Sequence, residues 1–196
     1  MRISRIAIVM ALALFEATAA FADEDLSARI GSSREAVGSF AGALQQRLMS
    51  AMADGGPAAA VDACRIAAPD IAAAAPAAGW RIGRTSLKPR NPANAPDAWE
   101  LAVLNDFEGR KAAGEDPGRL ERAEFVGRDG RRTFRYLKAI PTQPVCTVCH
   151  GGAIAPAVAA ALDRLYPQDR ARGYDVGDIR GAFSITQPAP QASPPP

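Results

Sequence analysis

Residues 122–140, RAEFVGRDGRRTFRYLKAI, give the clearest β signal in the chain. Two strand-like runs flank Asp129-Gly130, the dipeptide that favours a type I′ hairpin turn. Phe134 and Tyr136 fall on one face of the second run, because side chains alternate along a strand. The stretch therefore predicts an antiparallel hairpin and argues against a purely helical bundle.

Helical patterns precede and follow this hairpin. Ser32 and Glu35 predict a helix start by a capping box, and Gly55-Gly56 predicts its end. An alanine-rich run predicts a second helix over 58–68, which Pro69 ends or kinks. The other expected elements are a strand over 80–86, a helix capped by Asn94 or Asp97, a helix over 156–165 and a strand over 179–186. This order predicts the α+β class, with an antiparallel sheet flanked by helices and an N-terminal helical segment.

The two ends of the chain are expected to lie outside the domain. Residues 1–22 combine two arginines, a short apolar run and an Ala-Phe-Ala ending, which together predict a secretory signal peptide. Residues 187–196, QPAPQASPPP, predict a disordered proline-rich tail. Residues 23–186 remain as a single domain, expected to be periplasmic and soluble, with no membrane span after signal cleavage.

Composition narrows the function classes. The 23 basic and 21 acidic side chains give a net charge of +2, which offers no reason to expect a nucleic-acid partner. The chain has one histidine and three cysteines, so it cannot form a two-histidine zinc finger or, within one chain, a bis-histidine haem. No second histidine is available as an acid–base group, so an enzyme is not expected.

The motif that carries chemistry is Cys146-Thr147-Val148-Cys149-His150, the C-x-x-C-H signature of c-type haem attachment. Its two thiols can form thioethers to one porphyrin, and the adjacent imidazole can serve as proximal ligand to the iron. We therefore predict one covalent haem c held by Cys146, Cys149 and His150. A redox-active dithiol and a zinc site are the alternative interpretations of the same residues.

The sixth iron position is left open by the residues alone. No methionine follows His150, which disfavours the small His/Met cytochromes. Cys64, Met49 or Met52, a lysine, or an open or water-bound position all remain. The third cysteine, Cys64, could also be a small buried residue of an alanine-rich helix.

Four blocks carry a family resemblance, and they extend over most of the chain: AVDACRIAAPDIA at 60–72, WRIGRTSLKPRNPANAPDAWE at 80–100, CTVCHGG at 146–152 and GYDVGDIRGAFSI at 173–185. They resemble the Tll-type exported haem c domains, a family of unknown function known from a cyanobacterium. The resemblance implies a PAS-like fold, with His150 as the proximal ligand and Cys64 as the distal ligand.

The function implied is that of a mono-haem cytochrome, in electron transfer or in redox or small-ligand sensing. Its partner would be a redox or signalling protein, with a small gaseous molecule as a further ligand. Alternative functions are a thiol-disulfide redox protein and a five-coordinate gas-binding cytochrome. A basic cluster comprises Arg81, Arg84, Lys88 and Arg90; a solvated surface is the favoured interpretation, and pairing with haem propionates is the alternative.

Overall fold

The predicted hairpin is present as β2 (Glu121–Arg128) and β3 (Arg131–Pro141), with Arg128 paired to Arg131 across the turn. The computed structural model describes residues 4–73, 79–128 and 131–188. Side chains are described from residue 26 onward, except at positions 63, 64, 66–70, 128 and 131. The turn dipeptide at 129–130 lies outside the described residues.

Two more strands complete the sheet in the described part of the chain. β1 (Arg81–Thr85) and β4 (Ile179–Pro188) pair antiparallel, and β4 also pairs antiparallel with β3. The order is β1-β4-β3-β2, so β4 and β3 are the inner strands. β3 is buried on both faces, with Leu137 and Ala139 in one apolar cluster and Phe134 and Tyr136 in the other.

One face of the sheet packs against helix α2 (Ala98–Ala112). Asp97 caps this helix, with the reciprocal capping box to Glu100, as the sequence predicts for one of its two candidate caps. Its buried side chains meet alternate residues of the inner strands; this core comprises Val103, Leu104, Phe107, Leu137, Ala139 and Ala182. The apolar face of the helix and one face of the strands therefore form a single buried layer.

The opposite face is covered by the long helix α1 (Ser4–Ala73), whose Val37 and Phe40 pack with Phe134 and Tyr136. The predicted start at Ser32 is wrong, because the helix runs through it. The Ser32 hydroxyl instead donates to the Ala28 carbonyl, 3.0 Å away, as serine does inside a helix.

Two further expectations concern the second half of α1. The break predicted at Gly55-Gly56 is present as a kink, where Gly56 adopts φ 75° and ψ 178°. Of the end or kink predicted at Pro69, the end is wrong, since the helix extends to Ala73. Ile71 and Ala72, beyond the proline, pack against the sheet, and this tertiary packing overrides the local preference.

Two short helices lie between β3 and β4. α3 (Pro144–His150) was not predicted, because its prolines suggest a loop; proline fits the first turn of a helix equally well. α4 (Pro156–Leu165) has the predicted bounds and packs its Val158 and Leu162 against Val61 of α1. These contacts fix α4 to the segment of α1 beyond the kink.

The structure differs from the sequence expectation at the C-terminal end of the domain. β4 extends two residues into the predicted tail, because Gln187 is buried and its amide donates to Ser33 Oγ over 2.9 Å. Residues 189–196 lie outside the described residues, as do residues 1–3 and the side chains of the predicted signal peptide. In the part that the structure describes, no helix is long and apolar enough to cross a membrane. The α+β class is confirmed.

Candidate functional site

The C-x-x-C-H motif forms most of α3, directly after β3. Cys146, Cys149 and His150 stand at positions i, i+3 and i+4, which places them on one face of the helix. The two cysteines are not joined by a disulfide. Both thiols and the imidazole can therefore approach the same planar group from one side.

A glycine terminates this helix immediately after the histidine. The Gly151 N–H donates to the Thr147 carbonyl over 2.9 Å. A Cβ atom at Gly151 would lie 2.7 Å from that same carbonyl oxygen, so only glycine fits without a shift of the backbone. The Gly-Gly that follows the motif thus has a packing reason.

Residues 171–174 run alongside the end of α3 and bind it. Tyr174 N–H donates to the His150 carbonyl over 3.0 Å, and Gly173 N–H donates to the Gly151 carbonyl over 3.1 Å. Ala171 is fully buried. These main-chain bonds hold the histidine backbone at the edge of the sheet where β1 and β3 end and β4 begins.

The His150 ring has two neighbours at the same nitrogen. Nδ1 lies 2.8 Å from the Ala171 carbonyl oxygen and 3.1 Å from Arg180 Nε. Only a protonated Nδ1 can donate to the carbonyl, and only an unprotonated Nδ1 can accept from arginine. Donation to Ala171 leaves the lone pair on Nε2, which is the arrangement of a metal-binding histidine.

The electrostatic surroundings keep the imidazole neutral. Burial, followed by the charges of Arg180 and Arg90, lowers the pKa of His150 to about 3. Tyr174 packs edge-on against the ring, at 6.4 Å between centroids. A neutral imidazole is the form that coordinates a metal.

Arg180, the second residue of β4, is a site residue that sequence reasoning missed. Its Nη1 donates to Ser86 Oγ over 3.0 Å, and its guanidinium lies 5.4 Å from the Tyr174 ring centre. Burial, together with the charges of Arg90 and Arg84, lowers its pKa to about 10. Among the described residues no carboxylate lies within ion-pair distance of it, so the site offers a cation without a paired anion. Nothing local marks this arginine, since the pairing of β4 with β3 brings it to the helix that carries the histidine.

The predicted basic cluster divides between different surroundings. Arg81 is exposed on the edge strand, whereas Lys88 lies 5.0 Å from the Tyr174 ring centre, next to Arg180. Arg90 pairs with Asp169, at 3.2 Å from Nε to Oδ1, and its side chain is 13% exposed. Lys88 and Arg180 are therefore better placed for an external anion than Arg90.

Cys64 lies in α1, and its side chain is outside the described residues. One turn earlier, Ala60 and Val61 are buried, and Val61 belongs to the same apolar cluster as Cys149. A groove of about 360 Å³ runs between Arg65, the loop at Asn91 and the chain after α4. The turn that carries Cys64 and the motif helix thus share one neighbourhood.

A zinc site finds no support in the described side chains, where no group of three or more His, Cys, Asp and Glu could hold a metal ion. One structural feature supports the alternative of a redox-active dithiol. The motif begins a helix directly after a strand, which is the local setting of redox-active C-x-x-C pairs.

Comparison with known proteins finds one solved structure and one family that match the chain. The crystal structure of the cyanobacterial heme-protein Tll0287 aligns with a TM-score of 0.56 and 28% identity, covering 84% of this chain and 98% of that one. No curated protein sequence matches. The predicted PAS-like fold is confirmed by this likeness and by the antiparallel sheet between helices. A family model described as Tll0287-like matches residues 11–188, and the chain belongs to that family.

Proposed function

We propose that the chain is an exported mono-haem c-type cytochrome that acts in electron transfer, with His150 and Cys64 as axial ligands. The observation that carries the proposal is the shared helix face of Cys146, Cys149 and His150, with Nδ1 of the histidine placed against the Ala171 carbonyl. The heme-protein Tll0287, a relative in structure, supports it. A bound haem supplies one-electron chemistry at its iron.

The protein's own residues fit such a group in three ways. The two thiols are three residues apart on a helix, the spacing of thioether attachment. The histidine is neutral and offers Nε2. Arg180 and Lys88 supply positive charge beside the histidine, where carboxylate groups of a porphyrin would find charge-assisted donors.

Cys64 is proposed as the distal ligand. Supporting this are the family resemblance and the burial of Ala60 and Val61 in the neighbourhood of Cys149. A thiolate ligand favours the ferric state, so the reduction potential should be low. Coordination requires a deprotonated sulfur, so acid should compete with it.

Sensing is a second function that one observation favours. The kink at Gly56 divides α1 between the part that packs Val37 and Phe40 on the sheet and the segment that carries Cys64. Release of Cys64 on reduction would open a position for a small gaseous ligand, and movement beyond the kink would signal it to a partner protein. In either function the partner is another protein, and we assign no catalytic reaction.

Export is proposed from the predicted signal peptide at 1–22, which places assembly and action in the periplasm. Covalent haem c is assembled outside the cytoplasm, so the two proposals support each other. Sequencing the N-terminus of the purified protein tests cleavage after Ala22.

The deciding experiment is a spectroscopic redox titration of wild type and Cys64→Ala. Thiolate ligation predicts a low-spin ferric spectrum in wild type, its loss in Cys64→Ala, and a rise in potential. Met49→Ala is the matched control, because this exposed side chain is one of the other candidate ligands. An unchanged spectrum in Cys64→Ala, or a loss only in Met49→Ala, would contradict Cys64 as ligand.

Covalent attachment needs a separate test. The intact mass of denatured wild type should contain one haem, and the Cys146→Ala and Cys149→Ala variants should show attachment through a single thioether. The dithiol alternative predicts instead a haem-free mass and three titratable thiols after reduction, two of which are lost on oxidation. That result would overturn the cytochrome proposal.

A further inference from the structure

We propose that the Arg90–Asp169 ion pair acts on the haem iron through the Ala171 carbonyl, setting the orientation of the His150 ring and the reduction potential. This inference rests on the proposed function, because it concerns how the same site is tuned. Arg90 and Asp169 are positioning residues here, since both act through His150.

The pair lies beneath the motif helix and is almost closed to solvent. The Asp169 side chain is 2% exposed, and that of Arg90 is 13% exposed. Arg90 comes from the loop after β1, whereas Asp169 comes from the chain after α4. Their contact therefore joins two distant segments directly below the histidine.

Arg90 binds two carbonyl oxygens that belong to the site. Its Nη2 donates to the carbonyl of Cys149 and, over 3.2 Å, to the carbonyl of Ala171. The first bond fixes the end of α3. The second places a positive charge on the oxygen that lies 2.8 Å from His150 Nδ1.

Asp169 holds the same peptide from the other side. Its Oδ1 accepts the Ala171 N–H over 2.9 Å, and its Oδ2 accepts Arg172 Nε over 2.9 Å. Burial alone would raise the pKa of this carboxyl, but the bonds from Ala171 and Arg172, with the charge of Arg90, hold it below its usual value. The Ala171 carbonyl is thus held in place and polarised by a fixed ion pair.

Arg90 and His150 share the Ala171 carbonyl oxygen as acceptor, and this sharing affects the imidazole. A carbonyl that already accepts from a guanidinium accepts less strongly from the imidazole, so His150 keeps more neutral character and donates less charge through Nε2. The Arg90 charge itself also disfavours the oxidised iron. Loss of Arg90 should lower the potential, whereas loss of the Asp169 charge should raise it.

A purely structural ion pair makes a different prediction. If the pair only holds the loop together, either substitution loosens the same segment, and both variants should shift in the same direction or not at all. Opposite signs therefore exclude a purely structural role, and the EPR spectrum tests the route through the His150 ring.

The experiment measures reduction potentials of the haem-loaded full protein for wild type, Arg90→Gln, Asp169→Asn and the double variant. We expect a downward shift in Arg90→Gln, an upward shift in Asp169→Asn and a value close to wild type in the double variant. Arg135→Gln is the matched control, because Arg135 is equally buried at 14% exposure and pairs with Glu100 on the face packed by α2. It should leave the potential unchanged.

Haem content by mass is measured first in every preparation. A haem-free wild type would refute the proposed function, whereas a normally loaded set with equal potentials or shifts of one sign would refute only this inference. If Arg90→Gln does not fold, Arg90→Lys is measured instead, because lysine keeps the positive charge but lacks the planar set of guanidinium donors. We then expect a near-wild-type potential with an altered ferric EPR spectrum, and an unchanged EPR spectrum would contradict the orienting role.

Discussion

The Nδ1 atom of His150 lies 2.8 Å from the carbonyl oxygen of Ala171, 21 residues further along the chain. This contact determines which ring nitrogen is available to a metal. It also depends on the packing of a loop that has no regular secondary structure. The binding competence of the motif is therefore a property of the folded domain as well as of the helix that carries it.

The first prediction concerns the protonation of His150 without haem. In a Cys146→Ser/Cys149→Ser protein, the imidazole should stay neutral far below the ordinary value of about 6.5, with a pKa of about 3. Burial and two arginine charges cause this. Because the chain has one histidine, its NMR resonances need no assignment among several. A midpoint near 6.5 would show that the ring is solvated.

The same shift has a consequence for stability. The folded-state pKa lies below the unfolded-state pKa, so between about pH 6.5 and pH 3 the unfolded chain binds a proton that the folded chain does not. The free energy of unfolding of the haem-free protein should therefore fall as the pH is lowered through this window. Adding His150→Gln should flatten that part of the profile in urea melts. Equal slopes with and without the histidine would contradict the shift.

Arg180→Gln should act oppositely on the haem-free and haem-loaded forms. Without haem, the variant removes a buried charge that lacks a carboxylate partner, so stability should stay equal or rise. With haem, it removes a proposed partner of the porphyrin carboxylates, so the melting temperature should fall. Thermal melts of both forms measure this, with exposed Arg81→Gln as control. A fall of equal size in both forms would indicate a structural role only.

Particular residues show how far the sequence could predict the site. The turn signal at 129–130, the Asp97 cap and the C-x-x-C-H spacing are local, and local chemistry is what a sequence displays. The prediction at Ser32 was wrong because the Ser-x-x-Glu pattern has the same sequence inside a helix as at its start. Arg180 and Ala171 were missed because long-range packing alone brings them to His150.

Gly151→Ala should disturb the motif helix. Its new Cβ would lie 2.7 Å from the Thr147 carbonyl oxygen, a backbone atom that cannot turn aside. We expect a loss of about 1–3 kcal/mol in stability and less haem incorporation. Gly152→Ala is the matched control, since a Cβ there meets nothing within 4 Å. Identical haem content and stability in the two variants would contradict this reading of the Gly-Gly pair.

Gly181→Ala should push the end of β1 away from β4, the strand that carries Arg180. Gly181 has φ 154°, and a Cβ there would lie 2.3 Å from the Thr85 carbonyl oxygen and 3.0 Å from Ser86 Cβ. Moving β1 away would break the bond of 2.9 Å from Ser86 Oγ to the Arg180 carbonyl, along with the support of the arginine side chain.

Overpacking alone should lower the free energy of unfolding by about 1–3 kcal/mol. We expect a larger loss in Gly181→Ala, because alanine is also strained at the φ angle of this position. Since Arg180 lowers the pKa of His150, its displacement should also raise that pKa in the haem-free protein. Gly83→Ala, in the neighbouring strand with open space around a new Cβ, is the control and should change neither quantity by a comparable amount. A destabilised Gly181→Ala with an unmoved histidine titration would show that Arg180 keeps its place when β1 shifts, and that the close approach of the strands serves the sheet alone.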